Sequence, residues 1–523
     1  MIKIEINLPY GYNSSDLRDR ICEKIPVTKS ELSEIRILRR TLEVNKNGEF
    51  GYKTSVGISL GEEREAGLLK MKKKVSPAPQ LAYTPKKSEL KSRPVVVGSG
   101  PAGLFAALTL AEAGANPLIL ERGLPVEQRA EKVKLFSALG ILDPECNIQF
   151  GEGGAGTYSD GKLKVGSLDK YKYKVLSEFC KAGASEEIMY SSTAHLGTDK
   201  LSDIIRNIRG KIISLGGEFI FSAKLTGINS KSGKVCSLEY EKDREKCELE
   251  AENVILATGH SAEDVFVMLQ KSGVEMSAKG FGIGVRIEHP REYINRLVYG
   301  KYAPSDIESA SYHLVTHLKN GRSVYSFCMC PGGTVVPATS QKGCVVTNGM
   351  SENSRMDDNS NAALLVSLSP ADFPDNSPLS GIYLQRNIER GVFELSNSYK
   401  APVCTLSDFA EKREAGKIKS VVPSYPVGTF EASPDIYLPK YISESLRAAI
   451  SDFDEWMGGF YYPDAVLTGA ETRSTSPVRV VRGENYQTPE ISGLYPAGEG
   501  AGYSGGIVSS AVDGIKCAEA MLS

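Results

Sequence analysis

Over the first 60 residues, apolar positions alternate with polar ones, recur at helical spacing, and then alternate again. "IKIEINL" alternates as a half-buried strand, and "SSDLRDRICEKI" follows with a Ser/Asp start and Leu17, Ile21 and Ile25 on one helical face. "RILRRTLEV" and "EFGYKTSVGISL" flank "NKNG", which predicts a hairpin with Asn47-Gly48 at its tip. Residues 1–69 therefore read as a small α/β domain, and the Lys/Pro-rich stretch 70–93 as an extended linker.

At residue 94 the pattern changes. "PVVVGSGPAGLFAALTLAEAGANPLILERG" (94–123) is an apolar strand, a glycine loop, an Ala/Leu helix and a second apolar strand, the start of a parallel sheet. "TDKLSDIIRNIRGKIISLGGEFIF" reads as a helix capped by Thr198 or Asp199, then a strand. "AKLTGINSKSGKVCSLEYE" and "EKCELEAENVILATG" read as a small antiparallel meander leading into a buried strand at 254–257. Residues 261–465 mix short strands with Pro-Gly punctuation. "GLYPAGEGAGYSGGIVSSAVDGIKCAEAML" then closes the chain as strand, turn and helix. The predicted fold class is α/β: a Rossmann-type domain in two parts (94–260 and 466–523) with a βββ meander. A mixed α+β substrate or cap domain (261–465) is inserted, and the small N-terminal domain precedes it. No repeat of fixed period is present.

Composition narrows the class. A chain of 523 residues suggests roughly three domains, and a net charge of −2 exerts no general pull on nucleic acid or an anionic membrane. No apolar run reaches the ~18 residues of a membrane span, and the N-terminus reads as neither signal nor transit peptide. The ten cysteines, mostly scattered singly, predict reduced thiols in a cytoplasmic protein. The linker lysines have acids nearby and read as a solvated segment, so nucleic acid is not the expected partner.

Gly98, Ser99, Gly100, Pro101, Ala102 and Gly103 form G-x-G-x-x-G between strand and helix. The first glycine permits the turn, the second lets backbone approach a pyrophosphate, and the third lets helix pack on strand. Glu121 ends the second strand 23 residues after Gly98, where a carboxylate takes an adenosine ribose hydroxyl. Three features favour non-covalent FAD over NAD: Arg122 and Arg129 placed after Glu121 to reach adenosine or pyrophosphate, the small-residue turn Ala257-Thr258-Gly259, and the C-terminal return.

"VVVGSGPAGLFAALTLAEAG…LILERG", "VILATG" and "GLYPAGEGAGYSGGI" resemble flavoproteins of the glutathione reductase superfamily, in the class with one FAD domain and no second NAD(P)H domain. Within it, "GEGGAGTYSDGKL", "ATGHSAED", "GFGIGVRIEHP", "CMCPGGTVVPA" and "ETRSTSPVRV" resemble bacterial proteins described only as FAD-dependent dehydrogenases. The resemblance implies that Glu499, after Gly498, bonds a ribityl hydroxyl in place of the family's shorter Asp. It implies that the amides of Gly505, Gly506 and Ile507 face the flavin's pyrimidine edge, where a helix N-terminus stabilises charge gained on reduction. Leu225 would offer backbone to the adenine. The loop at 151–163 would lie against flavin and phosphates through Gly153, Gly154, Thr157, Ser159, Asp160, Gly161 and Lys162.

Catalytic candidates are weaker. Cys328 and Cys330 would share one face of a strand, as buried thiols or as a redox dithiol. No metal site is expected, since no second C-x-C or His pair accompanies them. His313 and His317 read as a strand entering an Asn-Gly turn, and His260 follows the "ATG" turn. Arg286 with His289, and Glu471 with Arg473, sit among apolar residues and should either pair with each other or bind an anionic substrate. The expected function is an FAD-dependent oxidoreductase moving hydride between flavin N5 and a small molecule, with NAD(P)H admitted transiently or another donor used. A flavin-dependent RNA-modifying or RNA-binding protein, and a flavin-bound sensor without turnover, stand as alternatives.

Overall fold

The computed structural model describes residues 1–523 apart from 46–47, 71–73, 164–165 and 302. The chain divides into two units: residues 1–84, 162–195 and 299–307 form one, and 85–161, 196–298 and 308–523 the other.

In the first unit, β1 (Ile2–Pro9), α1 (Ser14–Lys24), β2 (Glu34–Val44), β3 (Phe50–Ser59), α2 (Glu62–Leu69) and β4 (Ser76–Pro77) make a βαββαβ arrangement. Its antiparallel sheet has the order β2-β3-β1-β4. The alternation read in β1 buries Ile2, Ile4, Ile6 and Leu8 against Ile21 and Ile25. The helix cap is Asn13, not the Ser/Asp pair: its side chain accepts from the amides of Ser15 and Asp16, and Asp16 accepts from Asn13 N. The β2–β3 hairpin is present, with Asn47 outside the described residues. The stretch read as linker is not wholly free, because Ser76–Pro77 adds a strand beside β1. Segment 162–195 belongs to this unit, although the sequence reading assigned it to 94–260. Arg40 N donates to Tyr190 O at 2.7 Å and Ser192 N to Arg40 O at 2.9 Å, which covers the open edge of β2.

In the second unit, β5 (Val95–Val97), β6 (Leu118–Leu120), β7 (Glu218–Ile220), the meander β8 (Ala223–Lys231), β9 (Lys234–Lys242) and β10 (Glu245–Glu250), and β11 (Val254–Leu256) follow in turn. With β23 (Leu494–Pro496), a five-stranded parallel sheet forms in the order β23-β11-β5-β6-β7. Buried on both faces, β5, β6 and β11 are apolar throughout, as parallel strands require. Helix α3 (Pro101–Glu112) opens on Pro101, and the closing helix Ile507–Met521 packs along it. Helix Thr198–Ser214 starts as predicted, but Gly197 precedes it and no side chain caps it.

Residues after 270 build β12 (Met276–Ala278), β13 (Phe281–Pro290), β14 (Val315–His317), β15 (Ser323–Cys330), β16 (Thr334–Pro337), β17 (Thr347–Met350), β18 (Asn359–Leu368), β19 (Ala401–Thr405), β20 (Thr429–Glu431), β21 (Val466–Glu471) and β22 (Val478–Val480). Seven of these form one sheet, β14-β15-β18-β13-β21-β19-β20, antiparallel except for β19–β20. Because β21 lies inside that sheet, the inserted segment runs on past residue 465, where the sequence reading ended it. The pairs β12–β22 and β16–β17 form two short ribbons. Among the described residues no helix is long and apolar enough to cross a membrane.

Candidate functional site

The glycine loop between β5 and α3 is built by steric necessity. Gly98 has φ +97°, and a Cβ there would meet Ala257 O at 2.4 Å; a Cβ on Gly103 would meet Gly98 O at 1.8 Å. The Ala257-Thr258-Gly259 turn is thereby seated on the loop. Ser99 is fully buried, and its N and Oγ both donate to Glu121, at 2.9 and 2.8 Å. The other oxygen of Glu121 accepts from Gly123 N and Gly151 N. In this structure the carboxylate read as a ribose ligand therefore ties three backbone segments together.

The two arginines after Glu121 differ from expectation. Helix α4 (Val126–Leu139) starts beyond Arg122, which lies in the preceding turn, pairs with Asp264 at 2.9 Å and stacks 4.2 Å from the Phe150 ring centroid. Arg129 is wholly buried and donates to the carbonyls of Asn147, Ile148, Gly151 and Glu152. A guanidinium held by four carbonyls in this way organises the approach to the loop at 151–161.

That loop lies against the first. Gly153 N donates to Ser99 O at 2.8 Å, and a Cβ on Gly154 (φ +63°) would stand 3.0 Å from Gly100 Cα. A Cβ on Gly156 would reach Ile507 at 3.0 Å, at the start of the closing helix. The structure thus brings Gly98–Gly103, Gly153, Gly154, Gly156 and Ile507 together. Thr157 is buried beside Arg129, and Ser159 caps its own turn through Gly156 O and Gly161 N. Asp160 is locked to Arg355 in a buried pair, Nε to Oδ1 at 3.0 Å, so it is not free for a cofactor. Lys162 falls in the first unit, where its backbone bridges His195. Leu225 is buried on β8 opposite Tyr240, in one core with Val97 and Leu256.

The C-terminal turn is held from behind. Gly498 N donates to Asp513 at 2.7 Å, and Asp513 pairs with Arg482; neither was singled out in the sequence, although an Asp inside "SSAVDGIKCA" was a usable signal. A Cβ on Gly498 would meet Ala102 Cβ at 2.7 Å, and one on Gly500 would meet Gly259 O at 2.5 Å. By contrast, Gly505 has no left-handed backbone and a Cβ on it would meet nothing within 4 Å. On Gly506 a Cβ would approach only Ser509 Oγ at 3.9 Å, and on Gly100 it would make only ordinary contact with Gly154 at 3.6 Å. Nothing in the protein requires glycine at these three positions. They stand at the N-termini of α3 and of helix Ile507–Met521, neither of which has a side-chain cap. Two uncapped helix N-termini edged by bare backbone fit an elongated, phosphate-bearing cofactor such as FAD.

His260 and Glu499 sit on the two facing turns, Nδ1 to Oε1 3.9 Å. Burial, with Arg473 and Lys279 adding to it, pushes His260 down to about 4 and leaves Nε2 buried without a hydrogen-bond partner. Burial pushes the Glu499 carboxyl up to about 7, against the pull of Lys279.

The remaining candidates pair across the inserted sheet instead of along the chain. Arg286 binds Glu471 (Nη2 to Oε1 2.9 Å), Asn348, Asn361 and Cys328 O, fully buried, and Glu471 holds its guanidinium firmly charged. Arg473 pairs with Glu389 (2.6 Å) and Ser340, not with Glu471. His289 bonds Phe460 O at 3.0 Å inside an aromatic cluster, remote from any pairing with Arg286. Arg286 and Arg473 are thus each held in a buried ion pair with a carboxylate. Cys328 lies at a bulge in β15 with φ +41°, so the strict alternation that would put it on one face with Cys330 is broken.

Residues 92–282 match the pyridine nucleotide-disulphide oxidoreductase family, and residues 280–474 match the family described as FAD-dependent protein, C-terminal domain-like. A protein of Clostridium beijerinckii (strain ATCC 51743 / NCIMB 8052), described as uncharacterized, is 44% identical over 520 residues, covering 98% of this chain and 97% of that one. Among solved structures, a flavoprotein/dehydrogenase from Cytophaga hutchinsonii aligns with TM-score 0.36 at 12% identity over 81% of this chain and 75% of its own. An E. coli quinol fumarate reductase aligns with TM-score 0.35 at 11% identity over 84% of this chain and 70% of its own.

Proposed function

The chain belongs to an FAD-dependent oxidoreductase family with FAD as its cofactor, and on that premise we propose that it passes hydride between FAD and a small-molecule substrate, in a fold of the glutathione reductase superfamily. FAD supplies the chemistry when bound, accepting or releasing hydride at its N5. The chain's own residues bind and orient. The amides of Gly100, Ala102 and Gly103 and the positive end of α3 would hold the pyrophosphate, with Glu121 keeping Ser99 and Gly151 in place behind them. Gly505, Gly506 and Ile507 would meet the flavin's pyrimidine edge, and Glu499 a ribityl hydroxyl. No second nucleotide fold was read in the sequence, so a nicotinamide donor would enter only transiently. Ten cysteines scattered mostly singly along the chain support a reducing, cytoplasmic setting.

The observation that carries this reading is that a Cβ on Gly505 would meet open space and one on Gly100 or Gly506 only ordinary contact, so no protein contact calls for glycine at the three positions. Purified protein should be yellow and release FAD on denaturation. Anaerobic titration with NADH, NADPH and a metabolite panel should bleach the flavin with at least one of them. Colourless protein that takes up no added FAD would overturn the reading.

A further inference from the structure

We propose that Lys279 and Arg479 form an anion-binding subsite beside the C-terminal turn, and that the substrate of this oxidoreductase carries a carboxylate or phosphate group there. The inference rests on reading the turn at 498–506 as the flavin's seat.

Strand register places the two cations. In the β12–β22 ribbon Ser277 stands opposite Arg479, and Lys279 N donates to Pro477 O at 2.8 Å just beyond the ladder. Ser277 and Lys279 are two apart, so Lys279 and Arg479 share a face as diagonal neighbours, about 7 Å apart. The ribbon is seated on the C-terminal turn: a Cβ on Gly502 would meet Arg479 Cα at 2.9 Å, and the guanidinium stands 5.3 Å from the Tyr503 ring centroid.

Arg479 is exposed and Lys279 half-buried, and neither is held as the buried arginines nearby are. Arg286, Arg473 and Arg482 each bind a carboxylate at close range. Lys279 and Arg479 form no ion pair among the described residues; the Lys279 ammonium reaches only Thr475 Oγ1, at 3.3 Å. Burial and the neighbouring Arg479 lower the Lys279 pKa, and Glu499 opposes them. Burial pushes Glu499 itself up to about 7, which weakens it as a counter-charge. Two like charges on one sheet face repel, and an arriving anion relieves the repulsion. The subsite adjoins the turn that carries the open glycines, which is where a molecule reacting with the flavin must come.

The test uses FAD-loaded protein and two probes, succinate for a carboxylate substrate and NADP⁺ for a nucleotide phosphate, with binding followed by calorimetry and by perturbation of the flavin spectrum. At least one probe should bind wild type, with affinity falling as salt rises. Lys279→Met and Arg479→Met should each weaken it about tenfold or more at unchanged FAD content. Which probe binds distinguishes the two sources of the anion. The inference is overturned if neither probe binds, if both variants bind within twofold of wild type, or if the variants shed FAD, which would assign the cations to the cofactor. Wild type lacking FAD would instead fail the flavin reading itself.

Discussion

A Cβ on Gly103 would stand 1.8 Å from the carbonyl oxygen of Gly98, whereas a Cβ on Gly505 would meet no protein atom within 4 Å. The first glycine serves the fold, and for the second we propose a place against FAD. Gly103→Ala should therefore destabilise by about 3 kcal/mol or more, or yield insoluble protein, because backbone cannot yield by that distance. Gly505→Val should leave thermal stability of the apoprotein unchanged and reduce FAD retention at least tenfold. Paired unfolding curves and flavin content after dialysis read both outcomes.

Glu121 gathers Ser99, Gly123 and Gly151 onto one buried carboxylate. Glu121→Ala should cost about 3 kcal/mol in urea unfolding, since it strands donors that have no water to turn to. FAD retention should fall with it. Glu121→Gln keeps one carbonyl oxygen and should lose less of both. Loss of FAD in the alanine variant at wild-type stability would restore a direct ribose role.

Arg286 and Glu471 form a fully buried pair. Either Arg286→Met or Glu471→Gln should destabilise by about 3–5 kcal/mol by leaving one charge uncompensated, and the double variant Arg286→Met/Glu471→Met should recover part of that. A double-mutant cycle measures the recovery. Intact stability with a raised KM in the single variants would instead mark Arg286 as a substrate ligand.

Burial holds His289 down to about 4, against an ordinary 6.5. Above pH 6.5 the ring is neutral whether folded or unfolded and adds no pH dependence. As the pH falls from 6.5 to 4, the unfolded chain binds a proton that the folded chain refuses, and up to about 3 kcal/mol of stability is lost. Glu152, pushed up to about 7 by burial, acts in the opposite sense, losing stability as the pH rises from 4.5 through 7. The stability difference between wild type and His289→Gln isolates the histidine. It should shrink steadily from pH 7 to pH 4, and a pH-independent difference would refute the assignment.

Much of the cofactor side was readable because its causes are local. G-x-G-x-x-G between an apolar strand and an Ala-rich helix constrains backbone over a dozen residues, and the chain folded as that motif requires. The closing turn was equally legible, down to the glycines that open the last helix. Partners were not legible. Arg129 follows Glu121 and Asp160 sits in a glycine-rich stretch, places that suggest a ligand, yet one holds carbonyls and the other Arg355. Arg286 with His289, and Glu471 with Arg473, are adjacent in sequence, but strand pairing sends Arg286 to Glu471 and Arg473 to Glu389.

The sequence by itself determined the dinucleotide loop, the strand and helix that flank it, and the two glycine-rich stretches. Short-range sterics dictate all of these: φ at glycine, apolar alternation and helix start signals. Only the tertiary structure decided that the loop at 151–161 meets the dinucleotide loop, Gly154 at Gly100, and the closing helix, Gly156 at Ile507, and that neither Lys279 nor Arg479 finds an ion-pair partner among the described residues. A charge's partner and a glycine's neighbour depend on strand register and on which surfaces face each other, and those are set by packing between segments hundreds of residues apart.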